Sequence, residues 1–332
     1  MTDSHKGGED KDGEDKDGED MGGKDEGDKV FEGAHTIDEQ WKLIDSGHKQ
    51  PERFDFPAPD APGRPGREIP QYITKGMRKA IVEFDLLEPG DRVLIGFSGG
   101  KDSTLLAYAL SALTRYLPWR VELSAIYVDL GLGSQDEAGH AQAYESLSAV
   151  AAQAGLSLHV QYMDMSADIL NNKEQSPCSR CSYWRRALIH NYARQEGFNK
   201  VAFAHHFDDA VETFLMSLLY SGQLGTFMPK TWLDRTEVTV IRPMVYIREK
   251  DITGAINKMG LTPRASHCPL DGYTQRTKTK ALIRELCKEN PLVFAHIASA
   301  MREGKRLYLW PQLMERKDLR QKNLEFWKPR GL

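Results

Sequence analysis

The chain has 332 residues, 40% of them hydrophobic and 28% charged, and a formal net charge of −4 at pH 7. That composition describes a soluble globular protein with one large domain, or one domain and an appendage. No apolar run approaches the roughly 20 residues that span a bilayer, and the first residues are acidic and polar where a secretory signal would be apolar, so no membrane association and a cytoplasmic location are expected.

Residues 1–30 form a separate segment in which GEDKD recurs almost unchanged and apolar residues are nearly absent, the composition of a disordered tail. Its first 29 residues hold twelve acidic and five basic side chains, so the acidity belongs to the tail and the remainder is mildly basic, at +3. Such a charge block reads as a device for solubility or spacing, and a basic body suits an RNA partner without establishing one. Residues 31–71 follow as a short helix, TIDEQWKLIDSG, and a proline-rich connector, PERFDFPAPDAPGRPGREIP, expected to form no regular structure.

Residues 72–262 change character. A helix, YITKGMRKAIVEFDLL, leads into apolar runs rich in β-branched residues: RVLIGF, VELSAIYVD, LSLHVQYMD, KVAFAHHF and VTVIRPMV. Stretches of helical spacing such as DEAGHAQAYESLSAVAAQAG separate them. The alternation predicts an α/β fold, a parallel sheet with helices on both faces, whose ligand crevice lies at the carboxyl ends of the strands. Three features fall there: SGGKDS after the first strand, Asp129 at the end of the second, and HHFDDAVET after the fourth. Residues 263–332 complete the chain as a helical, basic C-terminal segment.

SGGKDS differs from a P-loop, because Gly96 and Gly100 are four apart and Asp102, not a hydroxyl residue, follows Lys101. Its chemistry is nevertheless that of a phosphate cradle. Ser98, Gly99 and Gly100 let the backbone turn tightly and present N–H groups, Lys101 adds a positive charge, and Ser103 opens a helix whose N-terminus favours an anion. In HHFDDAVET, Asp208 is expected to cap a helix with Asp209 in its first turn.

The four cysteines are too few and too oddly spaced for a disulfide framework. In SPCSRCSYWRR, Cys178 and Cys181 lie one helical turn apart at a helix start, where both thiolates can reach one metal centre, with Arg185 and Arg186 on the next turn. Cys268, in ASHCPLDG, is a third. Three cysteines suit an iron–sulfur cluster with one iron left open, and zinc with a fourth ligand such as His267 fits the same set. Cys287, in ALIRELCKEN, reads as a plain helical cysteine.

SGGKDS resembles the signature of the PP-loop ATP pyrophosphatases. The order of SGGKDS, CSRCSYWRR, HHFDDAVETF, IRPMVYIREKDI and CPLDG, over residues 70 to 305, further resembles the tRNA 2-thiocytidine synthases. The resemblance implies an adenine nucleotide α-hydrolase-like, Rossmann-like fold and cleavage of ATP to AMP and pyrophosphate. It also implies a 4Fe-4S cluster on Cys178, Cys181 and Cys268, and sulfur transfer to a tRNA cytosine at position 32. In that reading Ser98, Gly99, Gly100, Lys101, Asp102, Ser103, Asp129, His206 and Asp208 line the ATP site, with Asp102 and Asp209 near Mg2+ and the phosphates. Lys101 neutralises developing charge, and Arg185 contacts substrate or phosphate. The implied partners are tRNA and a cysteine desulfurase or other sulfur donor, in a homodimer. One departure is Asp271, where family members commonly carry a second cysteine, so that this aspartate is a candidate contact for the open iron. Basic stretches near the C-terminus, interleaved with Tyr273, Phe326 and Trp327, suit contact with RNA. Two alternatives stand beside this one: a related PP-loop enzyme that modifies another tRNA base or a small molecule, and an ATP-binding regulatory protein.

Overall fold

The computed structural model describes residues 51–58, 68–133, 137–171, 176–264, 275–302 and 314–326. The acidic segment, the helix expected over 36–47, Cys268, Asp271, Tyr273, Trp327 and the side chain of Phe326 lie outside the described residues. The strands are β1 (Glu52–Phe56), β2 (Arg92–Gly96), β3 (Glu122–Asp129), β4 (Leu158–Tyr162), β5 (Lys200–Ala202), β6 (Lys230–Leu233) and β7 (Val238–Ile241). The helices are α1 (Gln71–Glu83), α2 (Lys101–Thr114), α3 (Glu137–Gln153), α4 (Ser166–Asn171), α5 (Pro177–Gln195), α6 (Phe207–Ser221), α7 (Glu249–Lys258), α8 (Gln275–Glu289), α9 (Val293–Ala300) and α10 (Arg316–Phe326).

The strands form one sheet in the order β1-β4-β3-β2-β5-β7-β6. The five central strands are parallel, and β1 and β6 add antiparallel edges. In β2 the residues Val93, Leu94 and Ile95 are all shut from solvent, as expected for a strand covered on both faces. Val93 and Ile95 enter an apolar cluster shared with α1, α2, α3 and α7, while Leu94 points to the other face. Helix α5 packs across β3, β5 and β7. Helix α2 is apolar almost all round and buries Leu105, Leu106, Tyr108 and Leu110, which makes it the central helix of the core. Helix α1 is amphipathic and buries Ile73, Met77, Ala80 and Ile81, spaced along a single stripe.

The connector expectation is overturned at its start, where ERFDF is strand β1. The five residues between Pro51 and Pro57 contain no proline, and an edge position tolerates prolines at both ends because only one side needs ladder hydrogen bonds. Cross-strand chemistry fixes it. Asp55 lies opposite His159, with 2.6 Å between Oδ1 and Nδ1, and Arg53 donates to Glu196 at 3.0 Å. Among the described residues no helix is long and apolar enough to cross a membrane.

Candidate active site

The loop after β2 is held by its own serines and by β3. Phe97 N donates to Ile126 O at 2.8 Å, Ser98 N donates to Ser103 Oγ at 3.2 Å, and the two hydroxyls lie 3.1 Å apart. Gly99 takes a φ of +76°, the left-handed backbone that glycine adopts freely, and a Cβ there would meet Leu147 Cδ2 at 2.4 Å. Its carbonyl accepts from Arg264 N at 2.8 Å and Thr104 Oγ1 at 3.3 Å. Gly100 then opens α2 with no side-chain cap. The first-turn N–H groups at Lys101, Asp102 and Ser103 lack helical acceptors. Together with the helix dipole they form a place for an anion.

Lys101 Nζ donates to both carboxylate oxygens of Asp102 at 2.9 Å and lies 3.4 Å from Glu249 Oε1. Burial opposes its charge, yet Asp102 and Glu249 outweigh burial and raise its pKa, so the amine is a firm cation. Lys280 completes the group by pairing with Glu249.

Helix α6 is capped by His206 and not, as expected, by Asp208. His206 Nδ1 accepts from Asp209 N at 3.3 Å while Asp209 Oδ2 accepts from His206 N at 2.9 Å, a reciprocal capping pair. With Nδ1 acting as acceptor, the ring proton is assigned to Nε2, which faces Asp102 Oδ1 at 4.0 Å. Asp102 and Asp209 therefore flank one imidazole. Asp208 is engaged elsewhere: it accepts from Arg248 Nε and Nη2 at 3.0 and 3.2 Å and from Glu249 N at 2.8 Å, tying α6 to the start of α7. Asp129 accepts from Gly131 N and Tyr144 Oη, both at 3.0 Å, and lies 3.1 Å from His140 Nδ1. Burial, then the charge of Asp129, raises the pKa of Tyr144 and keeps it a donor. Arg185 is exposed on α5, and its charge, like that of Arg264, bears on the half-buried Tyr127 of β3.

Three participants escaped the sequence reading. Glu249 closes the lysine cluster. Arg276, from a stretch read as an RNA contact, donates instead to Asp209 at 3.0 Å and Thr213 at 3.2 Å and lies 3.4 Å from Glu212, because α8 packs on α6. Lys278 and Arg284 on the same helix stay exposed. Glu212 is buried, and that burial, only partly offset by Arg276 and reinforced by Asp209, raises its pKa to about 7. It belongs to HHFDDAVET, the signal that could have found it.

The cysteine pair occupies the first turns of α5, where Pro177 follows the N-cap Ser176 and Ser176 Oγ accepts from Ser179 N. Cys178 is exposed and Cys181 half-buried, so soft ligands stand at the open end of the helix. Arg180, between them, points the other way: its side chain is 6% exposed and donates to Asp168 through Nε at 3.1 Å and Nη2 at 2.6 Å. Trp184 Nε1 donates to the same carboxylate at 2.6 Å, and Arg180 lies over the Tyr183 ring at 5.2 Å. This buried arrangement orients the turn that carries the cysteines. Cys287 packs against the apolar cluster of Val211, Ile283 and Phe294, as a structural cysteine would. Among the described residues no three His, Cys, Asp or Glu side chains gather as a metal site.

The PP-loop domain family matches residues 71–264. The tRNA-cytidine(32) 2-sulfurtransferase of Geobacter metallireducens is 33% identical over 250 residues, covering 74% of this chain and 94% of the relative. That of Legionella pneumophila is 34% identical over 253 residues, covering 74% and 84%. Among solved structures, the U34-tRNA thiolase NcsA from Methanococcus maripaludis with its [4Fe-4S] cluster shares the fold, with a TM-score of 0.59 and 22% identity over 72% of this chain and 82% of that one.

Proposed function

Because the chain belongs to the PP-loop domain family and, within it, to the tRNA-cytidine(32) 2-sulfurtransferases, we propose that this site uses ATP to replace the C2 oxygen of a tRNA cytidine with sulfur. The product is 2-thiocytidine at position 32. The observation that carries this is the 94% coverage of a curated sulfurtransferase at 33% identity.

ATP binds with its phosphates over Ser98, Gly99, Gly100 and the N-terminus of α2, where Lys101, Asp102 and Ser103 supply N–H groups and Lys101 a charge. The cytosine C2 oxygen attacks the α-phosphorus, the bond to the bridging oxygen breaks, and pyrophosphate leaves. Sulfide then forms a bond to C2, the C2–O bond breaks, and AMP departs with the former base oxygen. Asp102 and Asp209, on either side of His206, are the carboxylates suited to Mg2+ beside the phosphates. Were those carboxylates to hold the metal, Lys101 and Arg276, which now pair with them, would be free to pair with phosphate oxygens. Arg185 reaches the reacting base from the turn after the cysteines. Asp208 acts by holding Arg248 and the start of α7, which carries Glu249. Asp129 shapes the crevice rim through Gly131, Tyr144 and His140.

Cys178 and Cys181 fit two ligand positions, and with Cys268 they would hold a 4Fe-4S cluster whose open iron supplies the sulfide. The sulfur comes from a cysteine desulfurase or similar donor, and the enzyme works in the cytoplasm as a homodimer. The test is mass spectrometry of nucleosides from tRNA of cells with and without the protein. Selective loss of 2-thiocytidine, restored by wild type and not by Cys178→Ala, is the expected result. Loss of another thionucleoside in its place refutes the substrate, and no change at all refutes sulfur transfer to tRNA.

A further inference from the structure

His205 and His206 are neighbours in sequence but have different surroundings. His206 faces Asp102 and the phosphate loop. The ring of His205 lies 5.1 Å from Phe227 and 5.8 Å from Phe203, and Phe203 in turn lies 6.1 Å from His190 of α5. Arg242, just after β7, enters the same space with its guanidinium 5.1 Å from the Phe227 ring, and its Nη1 donates to Met228 O at 2.6 Å and Thr231 Oγ1 at 3.3 Å. Arg186, one turn before His190 on α5, is exposed, donates from Nε to Ser182 O at 3.3 Å, and its charge bears on His190.

Three polar atoms here are shut from solvent without a partner: Arg242 Nε, His205 Nδ1 and His190 Nε2. A buried polar atom left unsatisfied costs about 1–3 kcal/mol, and three in one place mark a position that something else completes. Arg242 Nε is a donor, and each neutral imidazole donates from its unpartnered nitrogen in one of its two tautomers. No described carboxylate pairs with Arg242. Arg186 and Arg242 are the charges that bear on His190; His205 adds Arg276 and His206, and Arg242 feels Arg186. Burial, helped by those cations, pushes His190 down to about 4, His205 to about 3 and Arg242 to about 10, so the imidazoles are neutral and the guanidinium charged at neutral pH. With both imidazoles in those tautomers the group is all donor, and Arg242 makes it net positive, the complement of an oxyanion.

We propose that Arg242, Arg186, His205 and His190 form a phosphate subsite, separate from the ATP phosphates, that takes one backbone phosphate of the tRNA beside the modified base. The inference rests on the sulfurtransferase reading. A base reaching the adenylation site leaves its stack, and the phosphate next to it must then be held on the protein. The group draws on the cysteine helix α5, which packs against β5 and β7, and on the residues that follow those two strands. A free phosphate or the pyrophosphate product carries the same oxygens, so the test must separate these sources.

Binding of an in vitro transcribed tRNA with cytidine at position 32 is measured over a salt series for wild type, Arg186→Gln, Arg242→Gln and the charge-matched control Arg194→Gln, with pyrophosphate binding measured by calorimetry on the same samples. Each phosphate contact with a single strand contributes about 0.7 to the slope of log K against log salt. Arg186→Gln and Arg242→Gln should each lower the slope by about that amount, while Arg194→Gln leaves it unchanged and pyrophosphate affinity holds in all four. Should Arg242→Gln fail to fold, Arg186→Gln decides. An unchanged slope in an enzyme that still thiolates tRNA overturns the subsite alone. Loss of pyrophosphate affinity with the RNA slope intact reassigns the pocket to the product. A wild type that binds no tRNA overturns this inference together with the function on which it rests.

Discussion

Replacing Asp168 by Ala should loosen the cysteine turn, and the size of the effect follows from what the carboxylate holds. Arg180 sits between Cys178 and Cys181 with a side chain only 6% exposed, and Asp168, 30% exposed, is its counter-charge. The carboxylate accepts from Arg180 Nε and Nη2 and from Trp184 Nε1, three donors at 2.6–3.1 Å. Removing one partner of a buried pair costs about 3–5 kcal/mol, because the remaining charge stays buried alone. The partial exposure of Asp168 lets water replace some of the loss, which puts Asp168→Ala near the lower bound, about 3 kcal/mol. For a domain of this size that corresponds to a drop in Tm of about 6–12 °C.

The assay is urea unfolding of Asp168→Ala, Arg180→Leu and the double variant, with iron content measured on each protein as purified. The singles should be strongly destabilising and the double less so than their sum, since an apolar pair can replace a buried ion pair with little loss. Iron retention should fall in Asp168→Ala even under conditions where the protein is fully folded, because the turn presenting both sulfurs has lost its anchor. A cost below about 1 kcal/mol, or strictly additive singles, would refute the anchoring argument.

The other expectations follow from single positions. Gly99→Ala forces a side chain into a left-handed backbone and against Leu147, so it should cost at least about 1–2 kcal/mol and abolish ATP binding, read by calorimetry. Glu212 is held protonated by burial up to about pH 7 against an ordinary value of 4.5. A raised folded pKa contributes stability that is present below about 4.5 and is lost as pH rises through about 7; the loss is on the order of 3 kcal/mol. Glu212→Gln should flatten stability across that window, and an unchanged pH profile would show that the carboxyl is solvated. Cys287→Ala should retain iron and thiolation while losing under about 2 kcal/mol, since the thiol only packs against Val211, Ile283 and Phe294.

The parallel centre of the sheet was legible because its strands are buried on both faces, so RVLIG and its neighbours read as unbroken β-branched runs. Strand β1 was not, because ERFDF is mostly exposed and becomes a strand only through pairing with β4, which lies about a hundred residues on. The phosphate loop could be read because its glycines, lysine and serines act within six residues. The cap of α6 was misread because Asp is the commoner capping residue, although His206 and Asp209 show the three-residue spacing of a reciprocal pair. Glu212 lay within HHFDDAVET, but nothing in the motif marked it as buried, and Asp168 and Arg276 carried no local signal. Burial gives Glu212 its character, and the partners that define Asp168 and Arg276 are 12 or more residues away.

The arginines show how this body, mildly basic overall, distributes its charge. Arg180 is matched by Asp168, Arg248 by Asp208, Arg276 by Asp209 and Arg302 by Glu83. These pairs join helices to one another and to loops, and in each the carboxylate already satisfies the cation. Arg242 departs from the pattern: it is half-buried with its Nε shut from solvent, it follows the end of β7, and it has no described carboxylate within ion-pair distance. A protein that only had to fold would gain by burying an apolar residue there. An enzyme whose polyanionic substrate must bring one base to the α-phosphorus gains from a fixed positive charge at that position, because the substrate's own phosphate supplies the missing anion at the moment of binding.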